Sequence, residues 1–192
     1  MTHGITELTP GRHIFGAGVW FRNYNTAQTV AQNVTAGRLI GATKGGNEVT
    51  IQRDSKNFGE ELDGALGKIK GMTKLIKDTA LMKATFAEIS EDLLLDALPG
   101  CTFSADGSKL VLVPGEITDA DFLDNIAWIG DYGDGEGNTG VIIKNPLSYE
   151  PLVLAPTDKD NATLQLAMEA HYDPADMSAR PYELFIPNED VS

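Results

Sequence analysis

The stretch that most narrows the fold is residues 162–172, ATLQLAMEAHY. Leu164, Leu166, Met168, Ala170 and Tyr172 fall on one side of a period-two pattern. Thr163, Gln165, Ala167, Glu169 and His171 fall on the other. Successive side chains point to opposite faces of a pleated strand, so this order buries one face and leaves the other to solvent. Wound into a helix, the same residues would mix polar and apolar groups around the whole circumference. A single half-buried strand cannot stand alone, so the chain must supply neighbours for it.

The neighbours are legible. NEVTIQRD (47–54) sets Val49 and Ile51 against Thr50 and Gln52. IFGAGVWFRNY (14–24), KLVLVPG (109–115) and YELFIP (182–187) read as strands, with a further one near Leu39–Ile40. NIAWIGDY (125–132) and TGVIIKN (139–145) flank GDGEGN, a hairpin loop. The 20 glycines often sit beside Asn or Asp, which is turn chemistry, and Gly45–Gly46 is expected to turn the chain. Residues 72–89, MTKLIKDTALMKATFAEI, fit two templates. Their Ala, Leu, Met and Lys content suits a helix, and an alternating strand also works; periodicity does not choose.

One helix is clear, SEDLLLDALPG (90–100). Ser90 can cap it, Glu91 and Asp92 suit the positive end of its dipole, and Pro99–Gly100 stops it. Leu94, Leu95 and Leu98 are its expected packing stripe. TDADF (118–122) starts a single further turn. The expectation is a mainly β fold, a sandwich or barrel of about eight strands with one flanking short α-helix and a long hairpin loop over 44–72. It occupies residues 15–187, between an N-terminal arm (1–14) and a C-terminal tail (188–192).

Charge excludes several functions. With 28 Asp and Glu against 15 Lys and Arg, the net charge is −13. Such a surface repels nucleic-acid phosphates and anionic lipid. The lone cysteine, Cys101, permits no internal disulfide; it implies a reducing compartment and is expected as a small buried hydrophobe. MTHGITELTPGRHIFG has no signal-peptide pattern, and no apolar run nears the ~20 residues of a membrane helix. A soluble protein made in the cytoplasm is expected.

Catalytic patterns are missing. His3, His13 and His171 share no metal spacing with one another or with Cys101. GATKGG (41–46) places its lysine before the second glycine, unlike a phosphate loop. DYGDGEGN (131–138) gathers Asp131, Asp134 and Glu136 but lacks calcium-loop spacing. The sequons NVT (33–35) and NAT (161–163) mean nothing without a secretory route. Neither enzyme activity, cofactor nor metal is expected. What remains is an acidic β scaffold with a glycine-punctuated polar segment, which points toward assembly.

The order of these pieces resembles a known family. LIGATKGGNEVTIQRDSKNFGEELDGALGKIKGMTKLI, then AEISEDLLLDALPG, then DADFLDNIAWIGDYGDGEGNTGVIIKNPLS and TLQLAMEAHYDPADMSARPYELFIP, resemble the major tail tube proteins of long-tailed bacteriophages over residues 15–187. The resemblance implies a phage tail tube fold and a structural subunit of the virion tail. Such subunits form hexameric rings that stack into a hollow conduit for the genome. It implies a tape-measure protein in the bore, with tail-tip and terminator proteins as further partners. DNA would pass without sequence-specific binding, and an acidic lumen would let it slide.

Two residue groups follow from that likeness. Lys44, Asn47, Arg53, Lys56, Glu60, Glu61 and Asp63 are candidates for ring stacking, on a loop that Gly59, Gly64, Gly67 and Gly71 would let reorder. Lys83, Thr85, Glu88, Gln165 and Glu169 are candidates for the lumen wall. The plainer accounts are a surface loop and ordinary solvent-facing side chains. Two other functions compete: the tube of a secretion or contractile injection machine, and a monomeric β-sandwich ligand-binding module. The last would show an aromatic cluster on its loops. Trp20, Phe21, Tyr24 and Trp128 instead read as core.

Overall fold

The structure is a computed structural model that describes residues 14–133, 137–157 and 160–187. Most of the N-terminal arm, the tail 188–192, His3, His13, Asp134 and Glu136 lie outside the described residues. The chain is mainly β, and two antiparallel sheets form its body. In chain order the elements are β1 (Ile14–Arg22), α1 (Val30–Thr35), β2 (Thr43–Asn57), β3 (Thr73–Phe86) and α2 (Glu91–Ala97). Then come β4 (Cys101–Asp106), β5 (Lys109–Pro114), β6 (Asn125–Tyr132), β7 (Gly137–Lys144) and β8 (Leu147–Ser148). β9 (Val153–Thr157), β10 (Asp160–Glu169) and β11 (Tyr182–Phe185) complete it.

One sheet runs β1-β6-β7-β11, and the other runs β2-β3-β10 with β8 and β9 sharing the far side of β10. β10 is the strand that opened the sequence argument. Leu164, Leu166, Met168 and Ala170 are buried, and they meet Ala80, Met82, Ala84 and Phe86 of β3 in one core. Of the ambiguous residues 72–89, Thr73–Phe86 form strand. Their alternation continues the apolar face of β10, register pairing Leu166 with Ala84 and Met168 with Met82. Helix-friendly composition loses to that shared face.

The β1 sheet closes the core from the opposite side with Trp20, Ile126, Val141 and Ile143. Trp20 meets Phe86 edge-on across the gap, ring centroids 5.9 Å apart. The back of the same sheet is also covered. Phe21, Ala127, Ile129 and Ile142 form a second buried cluster, capped by Tyr24, Val30 and Phe185.

Val30 opens α1, a helix the sequence reading does not expect, so the described residues carry two α-helices rather than one. Thr29 caps it, its Oγ1 accepting from Gln32 N at 3.2 Å while Gln32 Oε1 accepts from Thr29 N at 2.9 Å. T-x-x-Q was the overlooked signal. The expected strand at Leu39–Ile40 shrinks to an isolated bridge from Leu39 to Phe21.

α2 forms where expected, with Ser90 Oγ accepting from Leu93 N, but its packing stripe is rotated. Leu93 and Ala97 are the buried residues and Leu94 packs partly on the core; Leu95 and Leu98 are only half-buried. The cause lies on β1. The Arg22 guanidinium pairs with Asp96 and, at 3.1 Å, with Asp92, one turn apart on α2. Holding those carboxylates toward β1 brings Leu93 and Ala97 over the core.

Two further expectations shift. Gly45 and Gly46 do not turn the chain back. They lie within β2 at φ 94° and 97°, where the register with β3 slips between Thr43 and Asn47. Left-handed glycines let the extra residues bulge out while the ladder resumes. Cys101 opens β4 half-buried rather than sealed in the core.

Candidate functional site

Of the long hairpin loop expected over 44–72, residues 44–57 are strand and 58–72 are loop. β2 pairs with β3 from Thr43↔Phe86 out to Asn57↔Thr73, which leaves residues 58–72 as the connecting loop. β10 pairs with β3 only between Leu81 and Phe86. The outer half of the hairpin therefore extends past the rest of its sheet, and residues 73–77 are all exposed.

The stacking candidates divide along this arm. Lys44, Asn47, Arg53 and Lys56 lie in β2; Glu60 and Glu61 lie in a 3-10 turn (Phe58–Glu61), and Asp63 follows it. Arg53 faces Asp78 on the paired strand, Nε to Oδ2 at 3.2 Å. Lys56 pairs with Glu61 at 2.6 Å and lies 5.3 Å from the Phe58 ring centroid. These side chains shape the arm itself.

The loop has an internal clamp. Asn57 Oδ1 accepts from Gly59 N at 2.9 Å and from Ile69 N at 3.2 Å; its Nδ2 donates to Ile69 O at 2.9 Å and Thr73 Oγ1 at 2.7 Å. Gly59 lies so close to Ile69 that an added Cβ would sit 2.7 Å from Ile69 Cβ. Gly59 thus serves close packing, unlike the reordering expected of it. The arm also carries exposed apolar residues, which charge alone does not reveal. Leu62, Leu66, Ile69, Leu75 and Ile76 are all solvent-facing, Leu66 completely. Apolar residues recurring within a Gly- and Lys-rich stretch were the available signal.

At the arm's root, Asp78 is buried. Tyr182 Oη donates to its Oδ1 at 2.6 Å, and Arg180 Nε lies 3.7 Å from Oδ2. Burial, then the bond to Asp78, raises the Tyr182 phenol above its ordinary value. The root of the arm is thereby tied to β11 of the opposite sheet.

Four of the five lumen candidates share one surface. Lys83, Thr85, Gln165 and Glu169 line the outer face of the β2-β3-β10 sheet, with Gln165 directly opposite Thr85. Glu48 joins them opposite Lys83. Lys83 Nζ bonds Glu150, and that hydrogen bond raises the ammonium above its usual value. The sole cation in this group is thus neutralised, while Glu48 and Glu169 add negative charge. Glu88 departs from the group. It follows the end of β3, and its side chain lies against Gly41.

A cavity of about 390 Å³ opens on this face between the Gly45–Gly46 bulge and the Glu150–Val153 segment. No aromatic residue lines it. Trp20 and Phe21 are fully buried, and Tyr24 and Trp128 pack against the cores. His171 is half-buried, Nδ1 3.0 Å from Asn145 O and Nε2 3.0 Å from Tyr149 Oη. Among the described residues no group of His, Cys, Asp and Glu could hold a metal ion, and no helix is long and apolar enough to cross a membrane. The chain matches no protein-family model and no curated relative in sequence.

Proposed function

We propose that this chain is the repeating subunit of a phage tail tube. Copies close into hexameric rings, and rings stack into a conduit through which the genome reaches the host. The observation that carries the reading is the outer face of the β2-β3-β10 sheet. It is polar, net acidic, and bounded by two edges without a further strand among the described residues, β2 on one side and β8 with β9 on the other. Exposed edges invite strand pairing, and a ring of copies would join β2 of one to β9 of the next. Closure would turn the polar face into the wall of a barrel and bury the edges. Its carboxylates would repel phosphates and let DNA slide.

The extended β2–β3 arm supports stacking. It reaches beyond its own sheet and carries exposed apolar side chains that an adjacent ring would cover. A tape-measure protein within the bore and proteins that start and end the tube complete the proposed assembly. The tube of a secretion or contractile injection machine would use the same surfaces; a partner sheath around the assembled particle distinguishes it. Negative-stain imaging of the concentrated protein, alone and with a tail-tip complex, tests the reading. Hollow tubes or six-fold rings are expected. Monodisperse particles under both conditions, with a ligand-dependent rise in melting temperature, would replace it with a monomeric binding module.

A further inference from the structure

Arg38 stands apart in this acidic chain. Among the described arginines, Arg22, Arg53 and Arg180 each reach a carboxylate, whereas Arg38 reaches only neutral oxygens. Its NH1 donates to Gln28 Oε1 at 2.5 Å and to Asn33 Oδ1 at 2.9 Å. Those two bonds use both NH1 hydrogens. Nε and NH2 form the other edge of the guanidinium, and they have no partner among the described residues. That edge is the planar two-donor fork that receives a carboxylate side-on.

The fork is held in place. Asn33 is fully buried, and its Nδ2 donates to Asn25 O at 3.1 Å and Thr29 O at 3.0 Å while its Oδ1 also accepts from Asn25 N at 2.9 Å. Arg38 itself is pinned through its backbone, N to Asn33 O at 3.2 Å and O from Arg22 N at 2.8 Å. The usual objection to a surface ion pair is the entropy of ordering a long side chain. Here that ordering is already done.

Arg38 lies on a cavity of about 550 Å³ whose lining is polar, with Asn23, Asn25, Thr26 and Asn125 around it. Arg22 lines it too, but Asp92 and Asp96 already neutralise that guanidinium. Asp124 is the one carboxylate at the rim, and it makes no ion pair with Arg38. One free guanidinium beside one carboxylate suits a single negative charge and disfavours a multiply charged anion. The surrounding amides suit the polar backbone that accompanies an acidic side chain.

We propose that this cavity receives one carboxylate, supplied by an Asp or Glu side chain of a second copy of this chain. The chain itself is the abundant source, since its acids outnumber its bases 28 to 15. The inference rests on the self-assembly reading above and adds a contact that strand pairing and the arm do not provide.

The test compares full-length wild type, Arg38→Gln, Thr26→Glu and Thr26→Gln for the concentration at which they assemble, by sedimentation. Thr26 is exposed on the cavity, so Thr26→Glu supplies a competing carboxylate without touching the bonds that hold Arg38. Arg38→Gln and Thr26→Glu are expected to raise the assembly concentration roughly tenfold or more, the scale of a charge-assisted hydrogen-bonded pair. Thr26→Gln is expected to match wild type. Should Arg38→Gln fail to fold, Thr26→Glu carries the test alone. Thr26→Glu assembling like wild type would overturn the proposal and leave the tube reading intact. Wild type that assembles neither alone nor with a tail-tip complex would overturn both. An Arg38 Nε resonance that acetate saturates, but that self-assembly leaves unmoved, would assign the cavity to small carboxylates and overturn the second-copy source.

Discussion

The Tyr182 hydroxyl donates to the buried Asp78 carboxylate at 2.6 Å, joining the β11 edge of one sheet to the root of the arm in the other. Arg53 approaches the same carboxylate from β2, and Tyr172 Oη donates to the Asp78 backbone oxygen at 3.2 Å. Under the proposed stacking, an arm that carried load between rings would need such an anchor, because its outer half has no sheet neighbour beyond its own partner strand among the described residues.

Tyr182→Phe removes a donor from a buried acceptor, so a loss of about 1–3 kcal/mol is expected. Asp78→Ala leaves the phenol and two guanidiniums facing each other and is expected to cost more. Arg53→Ala should cost less than either, since its side chain is 47% exposed. Urea unfolding of the three variants orders them; an Arg53→Ala loss equal to that of Asp78→Ala would show that the anchor is misassigned.

The rotation of α2 gives a second test. Leu93→Ala is expected to cost about 2–5 kcal/mol, as for a fully buried leucine. Leu95→Ala, half-buried and outside the main core, is expected to cost clearly less. Equal losses in thermal or chemical unfolding would restore the stripe first read from the sequence.

That stripe shows where the sequence was legible and where it was not. The helix itself was readable, because Ser90, the two acids after it and Pro99–Gly100 act within a few residues. Its rotation was set by Arg22, about seventy residues away in sequence, through Asp92 and Asp96. The β10 alternation was readable for the same local reason. Residues 72–89 gained their identity only from the strand beside them. α1 is marked only by the Thr29 and Gln32 capping pair, because its six residues bury only Asn33 and so carry no apolar stripe. Of the candidate surfaces, the polar face was legible as the off-beat residues of two strands. Residues 47–54 of the arm are legible as strand, but its full length to Asn57 is not, because Gly45–Gly46 and the polar residues beyond Asp54 carry turn and loop chemistry; Glu88 lies off the polar face because the strand ends before it.

The acid range gives a third prediction. Backbone N–H groups of Thr118 and Gly100 donate to Asp121, and Ser178 and Ala179 donate to Asp176; both carboxyls are held below the ordinary value. Their stabilisation is present above the unfolded value and is lost as pH falls through the lowered folded values. Asp96 runs the other way. Burial raises it despite Arg22, so its contribution is fully present below the unfolded value and is lost as pH rises through the folded one. Carboxyl carbon chemical shifts followed through acid titration should place Asp121 and Asp176 below, and Asp96 above, the ordinary value of an aspartate in an unfolded peptide. A midpoint for Asp96 below that reference would contradict the burial argument.

The arm can be separated from the body. Asn57 and Thr73 are paired, so residues 58–72 can be replaced by a two-residue Asn-Gly turn. No residue of that segment belongs to either hydrophobic core. The shortened protein is expected to melt within a few degrees of wild type, since a change of ~1 kcal/mol shifts such a domain by about 2–4 °C. It is expected to form no long tubes by electron microscopy. Full-length tubes from it would remove the arm's tip from stacking.

The most direct measurement is a cryo-electron microscopy reconstruction of the assembled protein at a resolution that traces strands. The account predicts a hollow tube in which the outer face of the β2-β3-β10 sheet, with Gln165, Thr85 and Glu169, lines the bore and β2 meets β9 of the next copy. A tube lined by another surface, or one whose bore is basic, would contradict it.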